Sequence, residues 1–171
     1  MMHAPLPLPD AARSPATAPT PQRDYLDSIS LIEQLHRLLH DLIKDEFERL
    51  GIADLTPVQA MLVYNLGTSE VTAGELRSRG MYQGSNVSYN LKKLVQMGYV
   101  CSARCELDRR SIRVSLTPRG IHIREVVLDL FSRHAEALSQ SGVLDDPLLG
   151  QVNGQLRRVA RYWSEQIRYI Y

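Results

Sequence analysis

The chain has 171 residues, of which 44% are apolar, so it can bury the core of one ordinary domain with or without a tail. No apolar run reaches the roughly 18 residues of a membrane-spanning helix, and two cysteines do not support a disulfide framework. The net charge of +1 is unevenly distributed: residues 72–124 carry ten Lys or Arg against three Asp or Glu, a net +7 that leaves −6 elsewhere and indicates a polyanionic partner.

The N-terminal segment 1–23 is predicted to be a disordered tail. It holds six of the nine prolines, and this composition favours extended polyproline conformations over a packed core. The segment lacks the basic start and the continuous apolar core of a secretory signal. Together with the low cysteine content, this leads us to expect a cytoplasmic protein.

A long amphipathic helix is predicted from Asp24 to Leu50. Apolar residues recur there at intervals of three and four, with charged residues on the other side. The apolar stripe is wide enough to contact partners on more than one side, as in a dimerisation helix. Gly51 is placed to end this helix.

Two capping boxes then open two short helices. Thr56 is a suitable N-cap with Gln59 three residues later, and Thr72 with Glu75 repeats the same spacing. In each box the hydroxyl accepts from a backbone N–H of the first turn, while the longer side chain accepts from the N-cap backbone. The second of these helices is predicted to end near Gly80.

A third helix is predicted over 85–97, closed by Gly98. Its apolar stripe consists of Val87, Leu91, Leu94 and Val95. The opposite side contains no acid, and its hydroxyl, amide and ammonium groups can bind phosphate oxygens or base edges. The predicted DNA-binding residues of this helix are Ser85, Asn86, Ser88, Tyr89, Lys92 and Lys93. Alone, the helix fits an ordinary solvated surface helix equally well. Two capped helices before it and a hairpin after it favour a recognition helix.

After Gly98 the apolar period changes from 3.6 to 2, which predicts a β-hairpin. Its strands cover 99–105 and 111–116, and its charged tip contains Asp108, Arg109 and Arg110. An arginine pair at a hairpin tip can enter the DNA minor groove, and Asp108 can hold one arginine by a charge-assisted pair. The alternative is a charged turn that keeps an edge strand soluble.

Thr117 is a suitable N-cap for a helix that runs to about Ser139, and a final helix follows from about Pro147 to Tyr169. The predicted fold is therefore mainly α with a β-hairpin, in the order of a winged helix-turn-helix. Its predicted parts are an N-terminal dimerisation helix (24–50), a DNA-binding domain (51–117) and C-terminal dimerisation helices (118–171).

The stretch "LDRRSIRVSLTPRG" resembles the wing of the MarR family of bacterial winged-helix repressors. The matching positions are Asp108, Arg109, Arg110, Leu116, Thr117 and Gly120. The stretch "YQGSNVSYNLKKLVQMGYV" is similar to the recognition helix of an alphaproteobacterial subgroup that includes LdtR-type regulators.

The resemblance implies a homodimeric transcription regulator that binds a palindromic operator in double-stranded DNA. It implies that Arg110 enters the minor groove, that Asp108 orients it, and that the third helix faces the major groove. It also implies a small aromatic effector, bound between the dimer base and the wing domain. The residues on elements that would border such a pocket are His40, Phe47, Tyr64 and Phe131. Each of these four also fits an ordinary core position.

The two cysteines allow a redox alternative within the same fold. Cys101 and Cys105 fall on one predicted strand face with Tyr99 and Ala103, about 13 Å apart, which is too far for a disulfide. Both fit small packing residues. Alternatively they sense oxidants, with Arg104 lowering a thiol pKa.

Other classes of function are less well supported by the residues. We find no Gly-rich phosphate loop and no nucleophile motif, so we predict no enzyme and no cofactor. His36 and His40 are spaced to share a metal, but no further ligand is assured, and no metal site is predicted. A helical protein-interaction module without specific DNA binding would explain the long helices but not the arginine pair.

Overall fold

The structure is a computed structural model, and it describes residues 20–72, 75, 84–104, 112–143 and 146–170. The helices within these ranges are α1 (Pro21–Leu50), α2 (Pro57–Leu66), α3 (Gly84–Gln96), α4 (Pro118–Gln140) and α5 (Asp146–Ile170). The strands are β1 (Val71–Thr72), β2 (Val100–Arg104) and β3 (Ile112–Leu116). The predicted fold class, mainly α with a hairpin, is confirmed.

The chain divides into two compact units, Met1–Leu39 and His40–Tyr171. The described part of the first unit is the N-terminal portion of α1. The second unit holds the end of α1 and all other elements, including the sheet.

Helix α1 begins at Pro21, three residues before the predicted start at Asp24. Thr20 precedes it, and the backbone N–H of Arg23 donates to Thr20 Oγ1 at 3.4 Å. Proline is favoured at a first helical position because its missing N–H would have no partner there. Pro21 is therefore the first residue of α1 and does not belong to the predicted tail. The predicted tail up to residue 19 lies outside the described residues.

Both capping boxes are confirmed. In α2, Gln59 N donates to Thr56 Oγ1 at 3.3 Å, and Thr56 N donates to Gln59 Oε1 at 3.0 Å. In the second box, Glu75 N donates to Thr72 Oγ1 at 3.0 Å, and Thr72 N donates to Glu75 Oε2 at 2.6 Å. The rest of that short helix, with its predicted end near Gly80, lies outside the described residues.

The sheet is antiparallel with the strand order β1-β3-β2. Strand β1 was not predicted, because two residues carry no periodicity. It pairs Val71 with Val114 and so adds a third strand to the hairpin, on the free side of β3. The hairpin itself pairs Val100 with Leu116 at its base, while its predicted tip lies outside the described residues.

The core of the second unit lies where α2, α3, α4 and the sheet meet. Its most deeply buried side chains are Ile43, Ala60, Leu62, Val63, Leu66, Val87, Leu94 and Val127. Helix α2 packs along α4, and α3 packs against β2 and α2. This arrangement leaves one long side of α3 outside the core.

The turn after α3 redirects the chain into the wing. Gly98 has a φ of 76°, a left-handed conformation that glycine adopts without a Cβ clash. Gly98 N donates to Val95 O at 3.1 Å and Tyr99 N donates to Leu94 O at 2.9 Å, which together form a Schellman cap. The predicted end of the helix at Gly98 is thus confirmed.

Helix α4 starts directly against that turn. Thr117 caps it as predicted, since Gly120 N donates to Thr117 Oγ1 at 3.1 Å. The Thr117 hydroxyl also donates to Gly98 O at 2.7 Å, and Thr117 N donates to Tyr99 O at 3.1 Å. Gly120 is buried so close to Tyr99 that a Cβ at this position would overlap the Tyr99 carbonyl oxygen.

Candidate nucleic-acid interface

Helix α3 has one buried and one exposed side, as predicted. Val87, Leu91 and Leu94 are buried, and Val95 is half-buried. The exposed residues between them are Asn86, Ser88, Tyr89, Lys92, Lys93 and Gln96. Ser85 lies in the first turn, where the free backbone N–H groups of a helix attract anions. The exposed side of α3 therefore carries hydroxyl, amide and ammonium groups and no carboxylate.

Tyr89 and Lys93 lie together on this exposed side. Tyr89 has 58% of its surface accessible, and Lys93 Nζ lies 5.0 Å from the centre of its ring. The contact is a cation–π interaction, which favours this arrangement of the ring and the ammonium group. An exposed tyrosine beside a cation suits a surface that stacks on, or hydrogen-bonds to, a polyanion.

Gln59 of α2 holds α3 from the buried side. Only 4% of its surface is accessible, and its Nε2 donates to Asn90 Oδ1 at 3.3 Å. Asn90 Nδ2 in turn donates to Asn86 O at 2.9 Å within α3. The sequence identified Gln59 as a capping residue and missed this second role. A glutamine among apolar neighbours was the available signal, because a buried amide requires partners for both of its ends.

A groove of about 400 Å³ separates α3 from the sheet. It is lined by Ser88, Leu91, Lys92, Val95, Gln96, Ser102 and Val114. Strands β2 and β3 form its second wall, so the wing rises beside the exposed side of α3. The predicted tip residues Asp108, Arg109 and Arg110 lie outside the described residues.

A polar cluster joins the end of α3 to the start of α4. Arg119 donates through Nη1 to Met97 O at 2.9 Å and through Nη2 to Asp54 Oδ2 at 2.7 Å. The Tyr99 hydroxyl donates to the Asp54 carboxylate at 2.9 Å. Burial, followed by the Asp54 hydrogen bond, raises the pKa of Tyr99, so the phenol stays a donor. These contacts join residues 22 to 65 positions apart, and nothing local in the sequence predicted them.

Comparison with known proteins agrees with this geometry. A family model described as a winged helix DNA-binding domain matches residues 55–120. The chain is 31% identical over 171 residues to the exopolysaccharide II synthesis transcriptional activator ExpG of Rhizobium meliloti (strain 1021), and the match covers 96% of this chain and 88% of the relative.

Solved structures share the fold. A MarR transcriptional regulator from Methanosarcina mazei Go1 matches with a TM-score of 0.65 and 23% identity, over 83% of this chain and 98% of that chain. A mutant MarR from E. coli complexed with operator DNA matches with a TM-score of 0.63 and 19% identity, over 82% of this chain and 99% of that chain. The chain belongs to the MarR family. It is a transcription regulator with a winged-helix DNA-binding fold, and the narrower LdtR-type resemblance stays a prediction.

The relatives reported above are named as transcriptional regulators. Within the described part of the chain, no three His, Cys, Asp or Glu side chains come together as a possible metal site. No helix among the described residues is long and apolar enough to cross a membrane.

The predicted effector-pocket residues are placed as core and near-core groups of the second unit. Phe47 is buried, and His40 is half-buried. Tyr64 on α2 and Phe131 on α4 meet edge to face with their ring centres 5.3 Å apart. Their role in ligand binding stays a prediction.

Cys101 is exposed on β2, with its Sγ 3.0 Å from Ser115 Oγ on β3. The predicted shared face with Tyr99 is wrong. Tyr99 is buried and belongs to the turn after Gly98, so it does not follow the alternation of the strand. Cys105 lies outside the described residues, and the redox role stays a prediction.

Glu46 of α1 accepts hydrogen bonds from two arginines, Arg49 on the same helix and Arg133 on α4. Only 9% of its surface is accessible. Arg49 donates to its two carboxylate oxygens at 2.9 and 2.7 Å, and Arg133 donates to Oε1 at 2.5 Å. The Arg49 hydrogen bonds lower the pKa of Glu46 to about 2, against the opposing effect of burial and with help from Arg133.

Stability is therefore expected to fall in acid through Glu46. Its folded pKa lies below the ordinary value of 4.5, so the contribution is complete above about pH 5 and is lost as the pH drops towards 2. The Glu46 carboxylate contributes at most about 3 kcal/mol to the free energy of unfolding. Denaturant unfolding of wild type and Glu46→Gln checks this: the two should differ at pH 7 and converge near pH 2.

Glu48→Gln is the matched control, because Glu48 forms an exposed pair with Lys44 at 3.6 Å. Exposed pairs of this kind contribute little to stability. A wild-type advantage over Glu46→Gln that stays constant from pH 7 to pH 2 would contradict the assignment.

Proposed function

We propose that this MarR-family regulator acts as a homodimer that binds a palindromic operator through α3 and the β2–β3 wing. The observation that carries the proposal is the exposed side of α3, which holds hydroxyl, amide and ammonium groups without a carboxylate. The deep, wide major groove of B-DNA admits one α-helix and presents donors and acceptors of complementary kinds.

Within this proposal, the residues of α3 divide into two kinds of contact. Lys92 and Lys93 lie about one turn from Tyr89 and about two turns from Asn86 along α3. Ammonium groups bind phosphates without base preference. Asn86 and Tyr89 can read base edges, since amide and phenol groups both donate and accept. Ser85 and Ser88 contribute hydroxyls to either kind of contact.

The wing is proposed to contact the adjacent minor groove. The strands that carry it flank α3, and the groove between α3 and the sheet places both on one side of the domain. Arg110 would enter the minor groove, and Asp108 would orient Arg110. Arg109 would contact the DNA phosphate backbone. These roles rest on the sequence and on the position of β2 and β3.

The dimer is proposed to form through α1 and α5. Both helices carry large apolar side chains that are exposed in the single chain, and such patches mark association surfaces. The exposed apolar residues are Leu26, Leu31, Leu35, Leu38 and Leu42 on α1, and Leu148, Val152, Leu156 and Ile167 on α5. A twofold dimer would present two copies of α3 to two half-sites.

The test is to recover genomic fragments retained by the purified protein and then titrate salt. We expect one recurrent inverted repeat, with half-site centres about 10 base pairs or a multiple apart. Log affinity should fall linearly with log salt, with a slope of about −0.9 per phosphate contact. Sedimentation should give twice the chain mass. Retention of random fragments only, or an affinity that does not change with salt concentration, would contradict the proposal.

Effector control is proposed at Tyr64 and Phe131. Their edge-to-face contact joins α2, which supports α3, to α4, so a small aromatic molecule that parted the rings would disturb the DNA-binding domain.

The regulated genes are a separate part of the proposal. The 31% identical relative is named an activator of exopolysaccharide II synthesis. We propose by that likeness that the target genes include polysaccharide genes, and the recovered genomic fragments would show whether they do.

A further inference from the structure

Arg119 lies where three separate segments of the second unit meet. Its guanidinium joins the Asp54 carboxylate of the α1–α2 connection to the Met97 carbonyl at the end of α3. The guanidinium carbon also lies 4.2 Å from the centre of the Tyr99 ring. We call the three residues Asp54, Arg119 and Met97 the Arg119 bridge.

The Arg119 bridge is suited to hold the angle of α3. The last carbonyls of a helix have no intrahelical partner, and a cation there also complements the helix dipole. Arg119, in the first turn of α4, supplies a hydrogen-bond donor and a positive charge to the end of α3. A planar guanidinium with fixed donors restricts direction as well as distance.

The bridge adds little to global stability. The side chain of Arg119 is 56% exposed and that of Asp54 is 47% exposed, and exposed ion pairs contribute little to stability. Helix α4 is already fastened at its start by the Thr117 hydrogen bonds and by the close approach of Gly120. An arginine whose ion pair is largely exposed, but whose guanidinium contacts the end of α3, points to a role in orientation.

We infer that Arg119 is a positioning residue for DNA reading: anchored by Asp54, it sets the direction of α3 and so the discrimination between operator and other DNA. The inference rests on the proposed function of α3. Arg119 touches no DNA in this role, so its loss should spare the non-specific phosphate contacts made by Lys92 and Lys93.

The experiment compares wild type with Arg119→Gln, Arg119→Lys and Asp54→Asn. Each is measured for affinity to the recovered operator and to a duplex of the same composition in scrambled order. We expect Arg119→Gln to lose about three- to thirty-fold of the operator-to-scrambled ratio, with unchanged scrambled-duplex affinity. Arg119→Lys should give an intermediate ratio, because an ammonium group keeps the positive charge but lacks the planar set of donors of a guanidinium.

A second readout needs no DNA. Amide hydrogen exchange of residues 97–100 should rise in Arg119→Gln, while that of the α2 core stays as in wild type. Lys44→Gln removes the same charge from an exposed pair on α1 and is the matched control for both readouts. A variant that merely unfolds more easily would lower both duplex affinities together and would raise exchange throughout.

The outcomes separate the two levels of the proposal. If wild type itself does not distinguish the two duplexes, the proposed function fails. If wild type distinguishes them and Arg119→Gln does so equally well, the positioning role is overturned. Unchanged exchange at residues 97–100 in Arg119→Gln would also overturn it.

Discussion

Replacing Gly120 with alanine is expected to lower the free energy of unfolding by about 3 kcal/mol. The new Cβ would overlap the backbone oxygen of Tyr99. Neither side of this contact yields easily, since Thr117 fastens both the start of α4 and the turn after α3. Urea unfolding followed by circular dichroism would show the loss as a lower midpoint with an unchanged slope.

The matched control for this change is Gly150→Ala in α5. No heavy atom lies within 4 Å of a Cβ at that position, and alanine is preferred to glycine inside a helix by roughly 0.5–1 kcal/mol. The control should therefore be neutral or slightly stabilising. Equal midpoints for Gly120→Ala and wild type would mean that the turn and α4 can separate at little cost.

Replacing both Lys92 and Lys93 with alanine is expected to weaken operator binding roughly 10- to 100-fold near 0.1 M salt. Both ammonium groups lie on the exposed side of α3. If each neutralises one phosphate, the slope of log affinity against log salt should become shallower by about 2. Fluorescence anisotropy over a salt series measures both quantities.

The control removes an equally spaced cation pair from another helix. Arg157 and Arg158 are adjacent and exposed on α5, so changing both to alanine alters the net charge equally. It should leave the salt slope as in wild type, provided that sedimentation shows the same mass. A slope that shifts by the same amount in both double variants would indicate a general charge effect instead of contacts by α3.

Much of this fold could be predicted because its signals are local. Thr56 with Gln59 and Thr72 with Glu75 are capping boxes within three residues. The buried stripe of α3 follows from helical periodicity alone, and the two strands of the hairpin follow from alternation. The family resemblance then rested on residues around the wing, and the chain proved to belong to that family.

The contacts that tie one element to another could not be predicted, because they join distant positions. Arg133 is 87 residues from Glu46, and Arg119 is 65 from Asp54. The sequence does not indicate which opposite charge a given charged residue will pair with, because many pairings are possible among the same residues. Strand β1 was missed for a related reason: its two residues become a strand only through pairing with β3.

The closed base of the hairpin has a consequence for how this protein can change over evolution. Thr117 N donates to Tyr99 O, and the Thr117 hydroxyl donates to Gly98 O, so both ends of the wing are fastened to one point. Residues added or removed between those ends would lengthen or shorten the wing without displacing α3 or α4. The length of the wing can therefore diverge while α3, the helix proposed to read the operator, keeps its place.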